Sequence, residues 1–159
     1  MIFVAVGTQK FQFNRLLKAV DDLVEQGHLE CEVFAQIGHS DYIPRNYAYK
    51  DFMGKDDFQA YIDRCDLLIT HSGVATIMAG LKLRKPVVVV PRLEKFGEHV
   101  DDHQFQIAES FSTKNLLLMC KEQDNLEEIV KDAQTHVFAE YVSQRTMVLT
   151  TVREYLEEI

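Results

Sequence analysis

The sequence predicts an α/β fold with a doubly wound parallel sheet, and two kinds of segment support this prediction. Short, largely apolar runs at residues 2–6, 66–70 and 87–90 are typical of strands that are buried on both faces of a sheet. Between these runs, apolar residues recur every three or four positions, as they do in amphipathic helices. Strands that alternate with helices are joined by right-handed crossovers into one parallel sheet.

The first half of the chain begins with a strand, a helix and a second strand. The strand at residues 2–6 ends at Gly7, and the helix at residues 14–25 is expected to begin with Asn14 as its N-cap. Gly27 is expected to end that helix. The other elements of this half are expected at residues 32–37 and 47–52 as strands, at residues 56–64 as a helix capped by Asp56 or Asp57, and at residues 66–70 as a strand.

The second half continues the alternation. The helix at residues 74–83 is expected to stop before Pro86, because proline cannot continue a helix. The remaining elements are expected as strands at residues 87–90 and 115–119 and as helices at residues 101–111, 125–134 and 137–156. An apolar stripe on the last helix is expected to pack on the domain or on a partner. Residues 1–159 show no internal repeat and no linker, and they are interpreted as one domain.

Composition and charge exclude several classes of protein. Apolar residues make up 47% of the 159-residue chain and charged residues 26%, which excludes a disordered or low-complexity protein. The formal net charge of −8 disfavours nonspecific binding to nucleic acid, because the phosphate backbone would be repelled. The cysteines Cys31, Cys65 and Cys120 form no CxxC pair, and we interpret them as buried, reduced thiols.

Targeting signals and membrane spans are not evident in the sequence. The N-terminal residues have no basic region and no small-residue cleavage site of the kind that indicates a signal peptide. The longest apolar runs are far shorter than the roughly 20 residues that cross a bilayer. We therefore expect a cytoplasmic chain whose membrane association depends on a partner.

Ligands of doubly wound sheets bind outside the carboxyl ends of the strands, so the loops there are candidates for chemistry. Residues 7–11 (GTQKF) match neither GxGxxG nor the P-loop, which argues against NAD and ATP. Ser72 and Gly73 follow the strand at residues 66–70 and begin a helix, where backbone N–H groups and the helix dipole suit a diphosphate. In the alternative interpretation, Ser72 caps the helix and Gly73 eases the turn.

The segment at residues 91–104 is long and polar. Its histidines and aspartates could bind a divalent metal, but it has no spacing such as HExxH, and no metal is expected. A sugar site fits better, because carboxylates and amides match hexose hydroxyls and the helix start would present His103 and Gln104. The alternative is a capped, solvated helix start. For His71 we favour a strand-end histidine whose ring is satisfied by a backbone carbonyl.

Two segments together resemble a known family. DLLITHSGVATIMAGLKLRKPVVVVPR and the EHVDDHQFQIAE that follows are similar to the nucleotide-sugar half of GT-B glycosyltransferases in the family of the peptidoglycan GlcNAc transferase. Within that family, the chain most resembles the small single-domain proteins of bacterial capsule and exopolysaccharide synthesis, akin to the small subunit of the eukaryotic two-subunit UDP-GlcNAc transferase. The resemblance implies a Rossmann-like fold that forms a single GT-B donor-binding half-domain over residues 1–159.

The same resemblance implies a set of donor-binding residues in the loops at the ends of the strands. They are Gly7, Thr8 and Gln9 near the diphosphate and sugar, Gln36 and Gly38 along the cleft, Phe52 and Met53 at the uracil, Ser72, Gly73 and Thr76 at the phosphates, and Arg92, Glu98, His99, His103 and Gln104 around the sugar. Relatives often have a glutamate for the ribose hydroxyls at the position of Ala79.

The resemblance further implies that the chain is half of an enzyme. It would bind a UDP-sugar and, with a membrane-anchored acceptor-binding subunit, transfer a hexose or N-acetylhexosamine with inversion to a lipid-linked saccharide. The partner would supply the catalytic base and hold the complex at the inner face of the cell membrane, and no metal or other cofactor is implied. The alternatives are a non-catalytic subunit that stabilises a membrane transferase and a flavodoxin-like binding protein.

Overall fold

The computed structural model describes residues 1–140 and 152–154, which form one sheet covered by helices on both faces. The strands are β1 (Ile2–Ala5), β2 (Val33–Gln36), β3 (Ala48–Lys50), β4 (Leu67–Thr70), β5 (Val87–Val89) and β6 (Leu118–Met119). The helices are α1 (Asn14–Glu25), α2 (Lys55–Arg64), α3 (Val74–Lys82), α4 (His103–Thr113) and α5 (Leu126–Thr135). A short 3₁₀ turn at Glu94–Phe96 follows β5.

The strand order is β3-β2-β1-β4-β5-β6, and every neighbouring pair is parallel. This order confirms the predicted doubly wound sheet. The chain moves outward in one direction from β1 to β3 and in the other from β4 to β6, so the order reverses between β1 and β4. Such a reversal opens a crevice at the carboxyl ends of the two strands.

Both faces of the sheet are buried, which explains why the central strands read as continuous apolar runs. Successive side chains of a strand point to opposite faces. Val4 and Ile69 belong to the core on the α1 and α5 side, whereas Phe3 and Leu68 belong to the core on the α2, α3 and α4 side. Burial on two faces leaves no polar alternation in β1, β4 or β5.

Three helix starts differ from their expected positions. Helix α2 begins at Lys55 with Gly54 as its N-cap, so neither Asp56 nor Asp57 caps it. At the other two helix starts, side chains bind elsewhere. Phe13, not Asn14, occupies the N-cap of α1, and Asn14 Oδ1 accepts the backbone N–H groups of Asp41 and Tyr42, both at 2.9 Å. Helix α4 begins two residues later than expected, at His103. Its N-cap residue, Asp102, instead accepts the backbone N–H of Glu94 at 2.9 Å.

The predicted start of the last helix, at residue 137, is wrong, because residues 136–140 are not helical. This segment is tied to Asn115, whose backbone oxygen accepts the N–H of Ala139 at 2.8 Å and whose side-chain amide donates to the carbonyl of Val137 at 3.0 Å. Residues 152–154 are helical, and Val152 packs on the core of this chain. The rest of the predicted helix lies outside the described residues. No helix within the described ranges is long and apolar enough to span a membrane.

The buried carboxylate of Asp21 fastens the turn before β3 to α1. It accepts hydrogen bonds from the Tyr42 hydroxyl at 2.7 Å and from the backbone N–H groups of Arg45 and Asn46 at 2.9 Å. Burial alone would raise the pKa of Asp21, but these hydrogen bonds outweigh it and lower the pKa. In return, the hydrogen bond to Asp21 raises the pKa of the Tyr42 hydroxyl to about 12.

The three cysteines are free thiols, but they do not share one environment. Cys65 and Cys120 are buried as expected, and burial raises the pKa of the Cys120 thiol to about 11. Cys31 is exposed, which corrects the expectation that all three are buried. It lies in the bend before β2, outside the apolar run that forms the strand.

Candidate functional site at the carboxyl edge of the sheet

The candidate site is formed by the loops that follow β1, β4 and β5. Residues 7–12, named here the β1 loop, and residues 71–73 flank the crevice between β1 and β4. Residues 92–102, named here the β5 loop, lie beyond the next strand. The sheet topology thus brings together three segments that sequence reasoning had singled out separately.

The imidazole of His71 lies between two glycines. A Cβ on Gly7 would come within 2.5 Å of Nε2 of His71, and a Cβ on Gly73 would come equally close. Gly7 also has a φ of +86°, which side chains rarely adopt. The ring of His71 therefore explains why residues without a side chain stand at both positions.

His71 is a neutral, almost fully buried histidine, with 5% of its surface exposed. Burial, together with the positive charge of Arg92, lowers the pKa of His71 to about 3. Its Nδ1 lies 3.1 Å from Nε2 of Gln104, and because that amide nitrogen can only donate, the ring proton is on Nε2. The partner is a side-chain amide and not the backbone carbonyl that we expected.

The start of α3 has no side-chain cap. Gly73 occupies the N-cap, so the expectation that Ser72 caps the helix is wrong. The amides of the first helical turn, including that of Thr76, have no acceptor within the helix. Among the described residues, the buried hydroxyl of Ser72 has no hydrogen-bond partner either. A helix start with unused donors favours an anion such as a phosphate.

Gln104 joins the ends of β4 and β5. Its Oε1 accepts the backbone N–H of Ser72 at 3.2 Å and that of Arg92 at 3.1 Å. The side chain is 3% exposed and lies in the first turn of α4, as the sequence predicted. Gln104 therefore organises the site whether or not it also contacts a sugar, and that contact stays a prediction.

Gln36 and Gly38 shape the β1 loop from the neighbouring strand. The amide of Gln36 forms a pair of hydrogen bonds with the backbone of Gly7, at 3.0 and 2.9 Å, and also donates to the carbonyl of Asp51 at 3.1 Å. A Cβ on Gly38 would lie 2.6 Å from the carbonyl oxygen of Gly7. Both donor hydrogens of the Gln36 amide are used within the protein, so Gln36 holds Gly7, and its predicted place along a ligand cleft stays a prediction.

Glu98 and Arg92 do not reach the surface, which corrects their expected contact with the sugar. Both side chains are buried, with the residues 0% exposed. Both carboxylate oxygens of Glu98 bind Arg15, each at 3.0 Å, and Oε1 also accepts the backbone N–H of Leu93 at 3.0 Å. The guanidinium of Arg92 binds backbone carbonyls. Sequence reasoning missed Arg15, because its partner lies 83 residues away.

His99 and His103 are brought together by Asp101. Asp101 Oδ1 lies 3.1 Å from Nδ1 of His99, and Oδ2 lies 3.3 Å from Nε2 of His103. Over the described part of the chain, no group of three or more histidine, cysteine or acidic side chains is arranged to hold a metal. The predicted sugar contacts of these two histidines are not tested by this arrangement.

The remaining predicted residues lie in the β1 loop and just after β3. Thr8 and Gln9 are exposed in the β1 loop. Phe52 is 47% exposed and meets the ring of His39 edge to face, with centroids 5.0 Å apart, whereas Met53 packs on the core. An exposed aromatic ring beside β3 is consistent with a base-binding position. Ala79, a residue of α3, also packs on the core.

Comparison with known proteins establishes the family. The model of the glycosyltransferase family 28 C-terminal domain matches residues 1–157. The chain belongs to this family. The expected Rossmann-like α/β fold of a GT-B half-domain is therefore confirmed by both the sheet and the family.

Two curated relatives carry the same name. The human UDP-N-acetylglucosamine transferase subunit ALG13 is 29% identical over 126 residues, which are 75% of this chain and 11% of the human protein. The Candida albicans subunit of that name is 33% identical over 64 residues, or 40% of this chain and 20% of the relative. The chain thus spans a fifth or less of the length of these two relatives.

Solved structures share the fold along the whole chain. The NMR structure of ALG13 has a TM-score of 0.62 at 20% identity, covering 99% of this chain and 96% of that chain. The glycotransferase of kitacinnamycin has a TM-score of 0.58 at 17% identity, covering 99% of this chain but 39% of that chain. This chain therefore has the architecture of one part of a larger GT-B enzyme.

Proposed function

We propose that the chain is the donor-binding subunit of a two-component inverting glycosyltransferase and binds a UDP-sugar in the crevice between β1 and β4. The observation that supports this most directly is the start of α3, where the uncapped amides and the buried, unpartnered hydroxyl of Ser72 lie together. Family membership and the names of the relatives, which are subunits of a UDP-N-acetylglucosamine transferase, agree with this function.

The chemistry required of this subunit is stabilisation of the departing diphosphate. The amides at the start of α3 and the positive end of its dipole would balance the charge that develops on the phosphate oxygens. The neutral ring of His71 adds a hydrogen-bond donor, the N–H at Nε2, at the same edge of the sheet. These groups are held by packing before the ligand arrives, which favours electrostatic stabilisation without reorganisation. No metal is part of this proposal.

The acceptor side would belong to a second subunit. Transfer with inversion needs a base that removes the proton of the acceptor hydroxyl. We assign that base and the binding of a lipid-linked saccharide to a membrane-anchored partner, which would also hold this chain at the cytoplasmic face of the membrane. A role in capsule or exopolysaccharide synthesis would follow from such an acceptor.

The variant Ser72→Ala tests the phosphate position. The hydroxyl has no partner in the described part of the chain, so its removal should leave the free energy of unfolding within about 0.5 kcal/mol of the wild type. A hydrogen bond to a charged group is worth about 1.5–3 kcal/mol, so the affinity for UDP should fall roughly 10- to 150-fold. Isothermal titration calorimetry with UDP measures this loss, and chemical denaturation measures stability.

The matched control is Ser110→Ala, near the end of α4. It should change neither the free energy of unfolding nor the affinity for UDP. ATP and FMN serve as competing ligands in the same titrations. Binding of FMN in place of UDP would favour a flavodoxin-like protein. Wild-type affinity for UDP in a folded Ser72→Ala variant would contradict the phosphate position.

A further inference from the structure

Arg92 is a buried cation that binds the main chain on both sides of the β1 loop. Its Nη1 donates to the carbonyl oxygens of Phe11 at 3.0 Å and Gln12 at 3.2 Å, and its Nη2 donates to the carbonyl oxygen of Val6. Val6 lies immediately before the β1 loop, and Phe11 and Gln12 end it. One guanidinium therefore connects the two ends of the loop.

The same guanidinium connects the β1 loop to the β5 loop. Nη1 also donates to the carbonyl of Glu98 at 3.1 Å, and the Glu98 carboxylate is itself held by Arg15 of α1. The ring of Phe13 packs against the guanidinium, with its centroid 5.0 Å away. Because carbonyls of four residues compensate this buried charge, the arrangement depends on the fork shape of arginine, which lysine lacks.

Few other contacts hold the tip of the β1 loop. Gln36 binds Gly7 at its start, and the side chain of Gln12 donates to the carbonyl of Phe96 at 2.9 Å at its end. Thr8, Gln9 and Lys10 between these points are exposed. The conformation of the segment that would face a ligand therefore depends on contacts at its two ends, and Arg92 binds both ends.

We propose that Arg92 is a positioning residue that holds the β1 loop in the shape that binds the UDP-sugar. The identity of the ligand in this inference rests on the proposed function, whereas the contacts that hold the loop do not depend on it. Arg92 acts through the backbone of residues 6–12 and does not touch the ligand. Its loss should therefore loosen the loop and weaken UDP binding by more than any general loss of stability explains.

The variant Arg92→Lys tests this role. It keeps the positive charge and a residue after which trypsin cleaves, but it loses the forked guanidinium group. Limited trypsin digestion, followed by mass spectrometry, reports cleavage after the exposed Lys10, which lies in the β1 loop. We expect cleavage there to become faster, and UDP binding weaker, by about tenfold or more, which corresponds to the loss of one charged hydrogen bond. Ile62→Val is the control, because it weakens the core near the start of β4, at the opposite edge of the sheet from the β1 loop.

If Arg92→Lys does not fold, Arg15→Gln replaces it. Arg15 is 29% exposed and holds Glu98, so this variant should change cleavage and affinity in the same direction but less strongly. The inference is overturned if Arg92→Lys, or Arg15→Gln in its place, is cleaved after Lys10 and binds UDP as Ile62→Val does. A wild-type chain that binds no UDP would refute the proposed function, whereas the cleavage result would still show whether Arg92 holds the loop.

Discussion

Gly73 and Gly54 are a matched pair of residues with different surroundings. Each is the N-cap of a helix, Gly73 of α3 and Gly54 of α2, and each has an ordinary negative φ. A Cβ on Gly54 would meet nothing within 4 Å, whereas a Cβ on Gly73 would overlap the ring of His71. The two positions therefore separate the general cost of alanine at an N-cap from the cost of crowding the site.

We predict that Gly73→Ala destabilises the protein by about 1–3 kcal/mol more than Gly54→Ala, because the buried ring of His71 has to move. Gly73→Ala should also weaken UDP binding, and Gly54→Ala should not. Chemical denaturation and calorimetric titration of both variants measure these differences. Equal stabilities for the two variants would contradict the prediction, because they would mean that the ring of His71 moves without lowering the free energy of unfolding.

Among the elements, α1 and the turn before β3 are joined by the buried carboxylate of Asp21. Asp21 is 1% exposed and accepts hydrogen bonds from the hydroxyl of Tyr42 and the amides of Arg45 and Asn46. The turn leads into β3 and then to Phe52, so its position affects one side of the candidate site. Asp21 thus helps to position an edge strand that also pairs with β2.

We predict that Asp21→Asn lowers the free energy of unfolding at pH 7 by about 1–3 kcal/mol, because an amide nitrogen would face one of the backbone donors. The folded protein lowers the pKa of Asp21. Its stabilising effect is therefore complete above the unfolded pKa of about 3.9 and is lost as the pH falls through the lower, folded pKa. Thermal unfolding across this acid range should show the wild type converging on the variant, and a constant difference would contradict the assignment.

At the scale of the whole molecule, the described residues form one α/β unit, whereas a complete GT-B enzyme places its donor and its acceptor on two such units. The proposed donor site lies in loops at one edge of the sheet, open for a second subunit to close. In the proposed function, that second subunit brings the lipid-linked acceptor to the donor site.

We predict that the purified chain alone transfers no sugar and that membranes containing its partner restore transfer from a UDP-sugar. The Ser72→Ala variant should still sediment with those membranes while turnover falls, because the substitution changes the donor site and not the docking surface. Transfer of radiolabelled sugar to the lipid fraction measures turnover. Efficient transfer by the isolated chain would refute the two-component model, and sedimentation without any transfer would favour a non-catalytic subunit.

The sequence by itself determined most of the strands and helices of this fold and where along the chain the proposed phosphate site lies. The apolar runs of β1, β4 and β5 predict central strands because burial on both faces removes polar alternation. Ser72 and Gly73 could be placed at a helix start because a strand and a helix flank them directly. These inferences depend on residues that are close together along the chain.

Only the tertiary structure decided which polar side chains are free to meet a ligand. Glu98 and Gln36 belong to segments that the family resemblance places at the ligand, yet their partners Arg15 and Gly7 lie 83 and 29 residues away. The late start of α4 and the broken start of the last predicted helix have the same origin, in hydrogen bonds to Glu94 and Asn115. Local patterns show where polar groups stand along the chain, but the order of the strands determines which of them pair, because pairing between distant segments depends on how the sheet brings them together.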